Sequence, residues 1–415
     1  MPKVSIVMPS LNVAEYILEC IDSVRKQSLA DIEIICVDAG STDGTLEILE
    51  QSAKNDSRVI LLKSDIRSYG HQVNLGVKQA TGEFIGIVET DDFVPENMYQ
   101  RLYNVATSEN VQIVKANFSR FYGDAEERTF EPDLIASKKE YYNCLLNPQE
   151  TPELLTTAFY TWAGIYKRDF LLKNDIWHNE SPGASYQDNG FYFQTLCCAE
   201  KMYLIEDDLY KLRRDNPNSS TANTGKVWAF RDECKFMYNF LAKDPVRKQR
   251  FLAGFWYNKF VGYSATFKRI AYEHKLEFLK HWENELVDGL LSGEVRFDYF
   301  TKKHFALFRQ VVAGHEEYFY TNIYNEDNLP LPRSEKEEIA NIQHMHKGSF
   351  YKTKNTNRQL RLTRNSPEYK IGRVIFFIPR TIIKGLQKIK RVASYIKSNG
   401  FLWTGKQIAK RIVNR

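Results

Sequence analysis

The chain has 415 residues, too many for one ordinary core, with 43% hydrophobic content that supplies ample material for a buried interior, so two or three folded units are expected. A net charge of +5 conceals an asymmetry: residues 347–415 carry +17 and residues 1–346 carry −12. The six cysteines show no CxxC or paired spacing, which points to free thiols in a reducing compartment. Neither a charged-then-apolar leader nor a run of 18 apolar residues occurs, so classical export and membrane spanning are not expected.

In chain order, Val4–Met8 reads as a short buried strand running into Pro9, Ser10, Leu11 and Asn12. Ile17, Cys20, Ile21 and Val24 then fall on one face of a helix over 14–27. A second strand, Ile32–Val37, ends in Asp38 and a flexible turn in which Ser41 or Thr42 can cap the next helix. An acid in that place can accept hydrogen bonds from a nucleobase or ribose. Val59–Lys63 is a third strand, 72–80 a helix, Phe84–Val88 a fourth strand and Val111–Ala116 a fifth. Strands alternating with helices predict right-handed βαβ units and a mostly parallel sheet.

The stretch TGEFIGIVETDDFVP, residues 81–95, carries the strongest chemical signal. Its strand ends in Glu89, Thr90, Asp91 and Asp92, at the sheet edge where open α/β folds bind ligands. Three acids within four residues repel one another unless a cation gathers them, and hard oxygen ligands suit Mg²⁺ or Mn²⁺ bridged to substrate phosphates. A solvated turn, with Asp92 capping a helix near Pro95, fits the same residues, and the stretch alone leaves both open. A dinucleotide-binding domain is disfavoured, because PSLN follows the first strand where a GxGxxG would be needed.

Taken together, VSIVMPSLN at 4–12, SVRKQS at 23–28, IEIICVDAGSTDGT at 32–45, NLGVKQATGEFIGIVETDD at 74–92 and YQDNGF at 186–191 resemble family-2 glycosyltransferases of the GT-A fold. The resemblance spans about half the chain, in the family's order. It implies an inverting, metal-dependent transfer of a sugar from a nucleotide sugar, with UDP the expected carrier, to an acceptor hydroxyl in bacterial capsule, lipopolysaccharide or teichoic-acid assembly. By this likeness Pro9, Asn12 and Asp38 contact the nucleoside, Glu89 and Asp91 occupy the outer positions of the DxD motif, and Asp92 lies beside the donor. The family usually has Asp where Glu89 stands, so Asp91 is the expected metal ligand, with Glu89 holding ribose or a metal-bound water.

An inverting displacement also needs a base on the opposite face of the sugar, and Asp188 is the residue expected to act there; the competing role is an N-cap for the helix after it. The family places an arginine and a serine on a segment that folds over the donor diphosphate, which spacing assigns to Arg214 and Ser220 ahead of Arg213 and Ser219. Glu206–Asp208 reads as a solvated turn between strands 202–205 and 209–212, and His71 as a loop histidine.

From about Val227 the segments 230–241, 251–267, 276–291 and 300–312 place aromatics at helical spacings, a mark of interhelix packing. Ile378, Ile382, Ile383, Leu386, Ile389, Val392 and Ile396 recur at helical intervals among Lys and Arg, as in a basic amphipathic helix lying on an anionic membrane or docked on the acidic body. The expected architecture is thus a Rossmann-like α/β GT-A domain at 1–225, a helical region with an acceptor-side or assembly role at 226–346, and a basic tail at 347–415. The expected partners are a nucleotide sugar, a glycan or lipid-linked acceptor and an anionic membrane, without nucleic acid, at the inner face of the cell membrane. A sugar nucleotidyltransferase, which would want a glycine-rich loop after the first strand, and a non-catalytic carbohydrate-binding scaffold are the competing readings.

Overall fold

The computed structural model describes residues 1–123, 127–158, 160–219 and 224–323. Ser220 and the whole basic tail lie outside them. The chain divides into two compact units, Met1–Lys259 and Phe260–Arg415.

The first unit opens with β1 (Val4–Ser10), α1 (Ala14–Arg25), β2 (Ile32–Asp38), α2 (Thr45–Asn55), β3 (Val59–Lys63), α3 (Tyr69–Gln79), β4 (Phe84–Ile87) and α4 (Met98–Ser108). It continues through β5 (Ile113–Tyr122), β6 (Thr129–Asp133), β7 (Leu145–Leu146), β8 (Gly164–Lys167), α5 (Arg168–Lys173), α6 (Gln187–Cys198), β9 (Met202–Arg213) and α7 (Ala229–Ala242). Every residue of β1 and β2 is buried, which is why these segments are mostly apolar instead of alternating, with Ser5 donating to Glu33 as a buried polar pair between them.

The sheet order is β3-β2-β1-β4-β8-β5-β9-β7, with β6 paired to β5. Strands β1 to β5 and β9 run the same way, while β6, β7 and β8 oppose them. The chain winds outward from β1 through β2 to β3, then returns to add β4 on the other side of β1. That reversal opens a crevice at the carboxyl ends of β1 and β4, where such sheets bind ligands. In register, Ser10 of β1 stands beside Asp38 of β2, and Val7 beside Ile87 of β4.

Four local expectations are revised. Helix α2 starts at Thr45 after a left-handed Gly44, so neither Ser41 nor Thr42 caps it. Ser41 serves the neighbouring turn instead, its Oγ accepting from the Asn12 amide, and Asp43 accepts from the Ala14 amide at the start of α1. Helix α3 starts at Tyr69 with Ser68 as its N-cap, which puts His71 inside the helix and not in a loop. The helix after the acidic stretch begins at Met98 with Asn97 before it, so Asp92 caps nothing. Finally, Glu206–Asp208 is no turn: β9 runs through it as one strand, with register shifts against β5 at Ala116–Ser119. There Asp207 pairs with Arg101 and Asp208 with Lys211.

Helix α8 (Pro245–Arg269) contains the division between the units. The second unit adds α9 (Lys275–Ser292), α10 (Lys302–Ala313) and α11 (His315–Asn322). Phe260, Tyr263, Phe278, Trp282 and Phe308 are buried, and their rings pack in tilted and edge-on pairs, as the helical spacing of the aromatics predicts.

Candidate active site

A cleft of about 560 Å³ lies at the carboxyl edge of β1 and β4. Its wall includes Pro9, Tyr69, Glu89, Asp91, Asp92, Asp188 and Arg214, so most of the residues singled out above converge on one cavity.

The acidic turn is built from its backbone outward. The Val88 amide donates to Val7 O, the Asp92 amide closes a turn onto Glu89 O, and Thr90 Oγ1 donates to Pro9 O at 2.9 Å. Asp92 then locks this turn to β9. One of its oxygens accepts from Tyr210 Oη at 2.7 Å and the other from the Arg213 amide at 2.7 Å, while Tyr210 Oη accepts from the Glu89 amide. With both oxygens engaged, Asp92 braces the site from inside; burial, and then the charge of Asp91, pushes its carboxyl well up.

Asp91 faces the cleft differently. Asn216 Nδ2 donates to its Oδ2 at 2.8 Å, and no hydrogen bond reaches its Oδ1 among the described residues. Glu89 accepts from Tyr69 Oη at 2.6 Å, and burial, reinforced by Asp91 and Asp188, lifts its carboxyl to about 8. A carboxylate with one free oxygen, in a cleft open to phosphate, suits a cation that takes one or two protein ligands and completes its shell from substrate. Asp91 fits that role. Glu89, half-buried and tied to a tyrosine, fits it less well.

Asp188 is the second residue of α6. The N-cap position is Tyr186, held left-handed at φ 63° and without a side-chain capping bond, so Asp188 is not the N-cap foreseen as its alternative role. Its Oδ1 accepts from the Asn189 amide and side chain, and burial pushes its carboxyl up to about 6. The loop before it is fastened by Gln187, whose amide donates to Ser181 and to Gly183 O, and whose oxygen accepts from the Ser185 amide. The same loop is stitched to α3: the Tyr69 amide donates to Gly183 O, the Gly183 amide to Arg67 O, and Glu180 receives both His71 and Asn74. Gly70 makes this approach possible, since a Cβ there would lie 2.0 Å from Asn179 O.

The two arginines part company. Arg213 is buried, stacked on Tyr16 and Phe121, and bonded to Asp91 O, Glu19 and Asp215. Arg214 is exposed in the cleft wall, and no side-chain partner is found for it among the described residues. Of the nucleoside candidates, Pro9 lines the cleft, whereas Asn12 and Asp38 stand beside it. Asn12 accepts from the Thr42 amide, and Asp38 accepts from the Gly40 and Ser41 amides and from Ser41 Oγ. Tyr69, Asn216, Tyr210, Tyr160 and Trp162 were not singled out in the sequence. Only the polar run at 215–219 offered a cue, for Asn216.

Residues 5–171 match the family model described as Glycosyl transferase family 2. Over these residues the chain is similar to family-2 glycosyltransferases. The uncharacterized glycosyltransferase EpsJ of Bacillus subtilis (strain 168) is 33% identical over 225 residues, 53% of this chain and 63% of EpsJ. The poly(ribitol-phosphate) beta-glucosyltransferase of Bacillus spizizenii is 30% identical over 232 residues, 53% of this chain and 34% of that protein. The chain therefore spans only part of the length of these relatives. Among solved structures, S. aureus TarS 1–349 in complex with UDP-GlcNAc superposes with a TM-score of 0.58 over 78% of this chain and 93% of that one, at 18% identity. That likeness establishes the shared fold, of the GT-A type.

Proposed function

We propose that this protein transfers a sugar from a nucleotide sugar, with UDP as the carrier, to an acceptor hydroxyl of a cell-surface glycan, inverting the anomeric centre. The observation that carries the reading is the placement of Asp188, one of whose carboxylate oxygens accepts no hydrogen bond among the described residues, in the same cleft as Asp91. The acceptor oxygen forms its bond to the anomeric carbon as its proton passes to Asp188, and the nucleoside diphosphate leaves with the electron pair of the broken bond. Arg214 presents a fork of donors to the departing phosphate oxygens. Mg²⁺ or Mn²⁺, held by Asp91, would supply further positive charge to the same oxygens. Pro9, Asn12 and Asp38 form the nucleoside side, Glu89 meets ribose or a metal-bound water, and Ser220, outside the described residues, is assigned to donor binding with Arg214.

The relatives support the substrate class: a poly(ribitol-phosphate) beta-glucosyltransferase by sequence and a UDP-GlcNAc complex by fold. We assign catalysis to 1–225, an acceptor-side or assembly role to 226–346, and peripheral attachment to the inner face of the membrane to 347–415. The last rests on charge and periodicity in the sequence. No helix among the described residues is long and apolar enough to cross a membrane.

A panel of UDP-, GDP-, ADP- and CDP-sugars, assayed for hydrolysis with Mn²⁺ and with chelator, tests the reading. Metal-dependent release of UDP, lost in Asp91→Asn while the variant keeps its thermal midpoint, is the expected result. Full activity in excess chelator would remove the metal from the mechanism, and release from none of the sugars would remove the donor.

A further inference from the structure

Lys115 lies in the middle of β5 with its side chain wholly buried, and no carboxylate pairs with it among the described residues. A buried ammonium without a counter-ion is costly, so its donors must be well used. Its Nζ donates to Tyr160 O at 2.8 Å, Thr161 O at 3.2 Å and Trp162 O, and lies 3.3 Å from Tyr166 Oη. Three consecutive carbonyls therefore turn inward onto one cation, and the curl ends at Ala163 in a left-handed conformation, φ 55°. Without the lysine those carbonyls would be left largely without donors in a dry interior.

The curl fixes two rings. Tyr160 and Trp162 stack with centroids 4.3 Å apart and an 18° tilt, and Trp162 stacks in turn on Tyr210 at 4.5 Å. Phe118 abuts both of the first two edge-on. Tyr210 is the residue that holds Asp92 and the Glu89 amide, so the three-ring stack is anchored in the acidic turn. Its outer member, Tyr160, is half-buried in the cleft wall and within electrostatic reach of Asp188. A pyranose offers an apolar face of C–H bonds, and a fixed aromatic ring beside the base is what would hold such a face while a ring hydroxyl points at the carboxylate.

We propose that Tyr160, backed by Trp162 and held in place by the buried Lys115, is the stacking platform for a pyranose ring of the acceptor. Lys115 is a positioning residue that acts through the backbone of 160–162. The assignment rests on the glycosyltransferase reading for the role of the bound sugar, although the platform itself can be tested without turnover.

Ligand-observed NMR with methyl β-glucoside, methyl β-galactoside, methyl β-N-acetylglucosaminide and ribitol 5-phosphate, beside calorimetry of UDP, provides that test. At least one pyranoside should bind, with saturation strongest on one face of its ring. Tyr160→Ala should weaken it about tenfold while Tyr160→Phe keeps it. Lys115→Met should weaken the same glycoside and leave UDP affinity within about twofold, as independent sites require. The platform is overturned if no pyranoside binds, if only ribitol 5-phosphate does, or if Tyr160→Ala binds as the parent does. Loss of glycoside and UDP together in Lys115→Met, or of neither, overturns the positioning role of Lys115. Tyr160-dependent glycoside binding in a protein that ignores UDP would sustain the platform and reject the donor reading.

Discussion

Residue type decides little in this cleft until the partners of each side chain are counted. Asp91, Asp92 and Asp188 are chemically identical. Among the described residues, Asp92 spends both oxygens on Tyr210 and Arg213, Asp91 leaves one open beside Asn216, and Asp188 keeps one open in the first turn of α6. Burial holds Asp188 at about 6, so it is ionised and able to accept a proton at neutral pH. kcat/KM should rise with pH up to about 6 and level off above it, because only the ionised form can act as base. Asp188→Asn should lower turnover by about 10²–10⁴ and abolish that limb while nucleotide affinity holds. Since Tyr186 is the N-cap, this change should cost little stability, and near-normal turnover would dismiss Asp188 as the base.

At the scale of elements, the decisive contact is between the start of α3 and the 178–185 loop that delivers Asp188. The Tyr69 and Gly183 amides pair across it, Asn74 receives the His178 amide, and Gly70 lets the two backbones touch. A methyl group at Gly70 would run into the Asn179 backbone, with His178 Cβ close behind, so Gly70→Ala should cost about 1–3 kcal/mol. It should also depress turnover more than UDP affinity, because Asp188 moves with the loop while Asp91 and Asn216 sit on other segments. Denaturant unfolding and a kcat against KM comparison check this; an unchanged midpoint and rate would show that the contact is dispensable. In the same way Arg213, stacked between Tyr16 and Phe121, ties α1 to the end of β9 and so fixes where Arg214 emerges.

Over the molecule as a whole, charge is the property with most consequence. Glu233 of α7 is buried against α6, accepting from Asn179 Nδ2, and burial lifts its carboxyl to about 8. The folded protein therefore keeps a proton that the unfolded chain releases near the ordinary glutamate value, so stability should fall as pH rises through this window and stay low above about 8. Glu233→Gln, neutral throughout, should be more stable than the parent by about 1–3 kcal/mol at pH 9 and close to it at pH 5. Equal thermal midpoints at pH 9 would show that Glu233 ionises without penalty. The second consequence is the +17 tail against a −12 remainder. Binding of the full chain to anionic vesicles should weaken as salt rises, with screening over about 8 Å at physiological ionic strength, and neutral vesicles should bind poorly. Sedimentation of the protein with vesicles measures this, and indifference to lipid charge would leave internal docking as the role of the tail.

The first four strands and their helices were legible because a buried parallel strand is mostly apolar and a crossover helix must repeat near 3.6 residues, and both patterns are local. The same locality made the acids at 89–92 visible at a strand end, and Asp188 visible before an apolar helical run. Which oxygen of which acid stays free was not legible, since that depends on Tyr210, Arg213, Asn216 and Tyr69, each brought in from distant sequence by strand register and loop packing. Nor was the continuity of β9 through Glu206–Asp208, because a bulge against β5 places these charged side chains without breaking the strand. Lys115 is the sharpest case: its sequence neighbours mark an ordinary buried strand, and only the folding of 160–162 across it gives the ammonium three carbonyls to hold. Sequence alone specified the alternation of elements and the stock of chemical groups, because both are written in short-range periodicity and composition. Tertiary structure decided which groups are buried, paired or open, because burial and pairing depend on contacts between segments far apart in the chain.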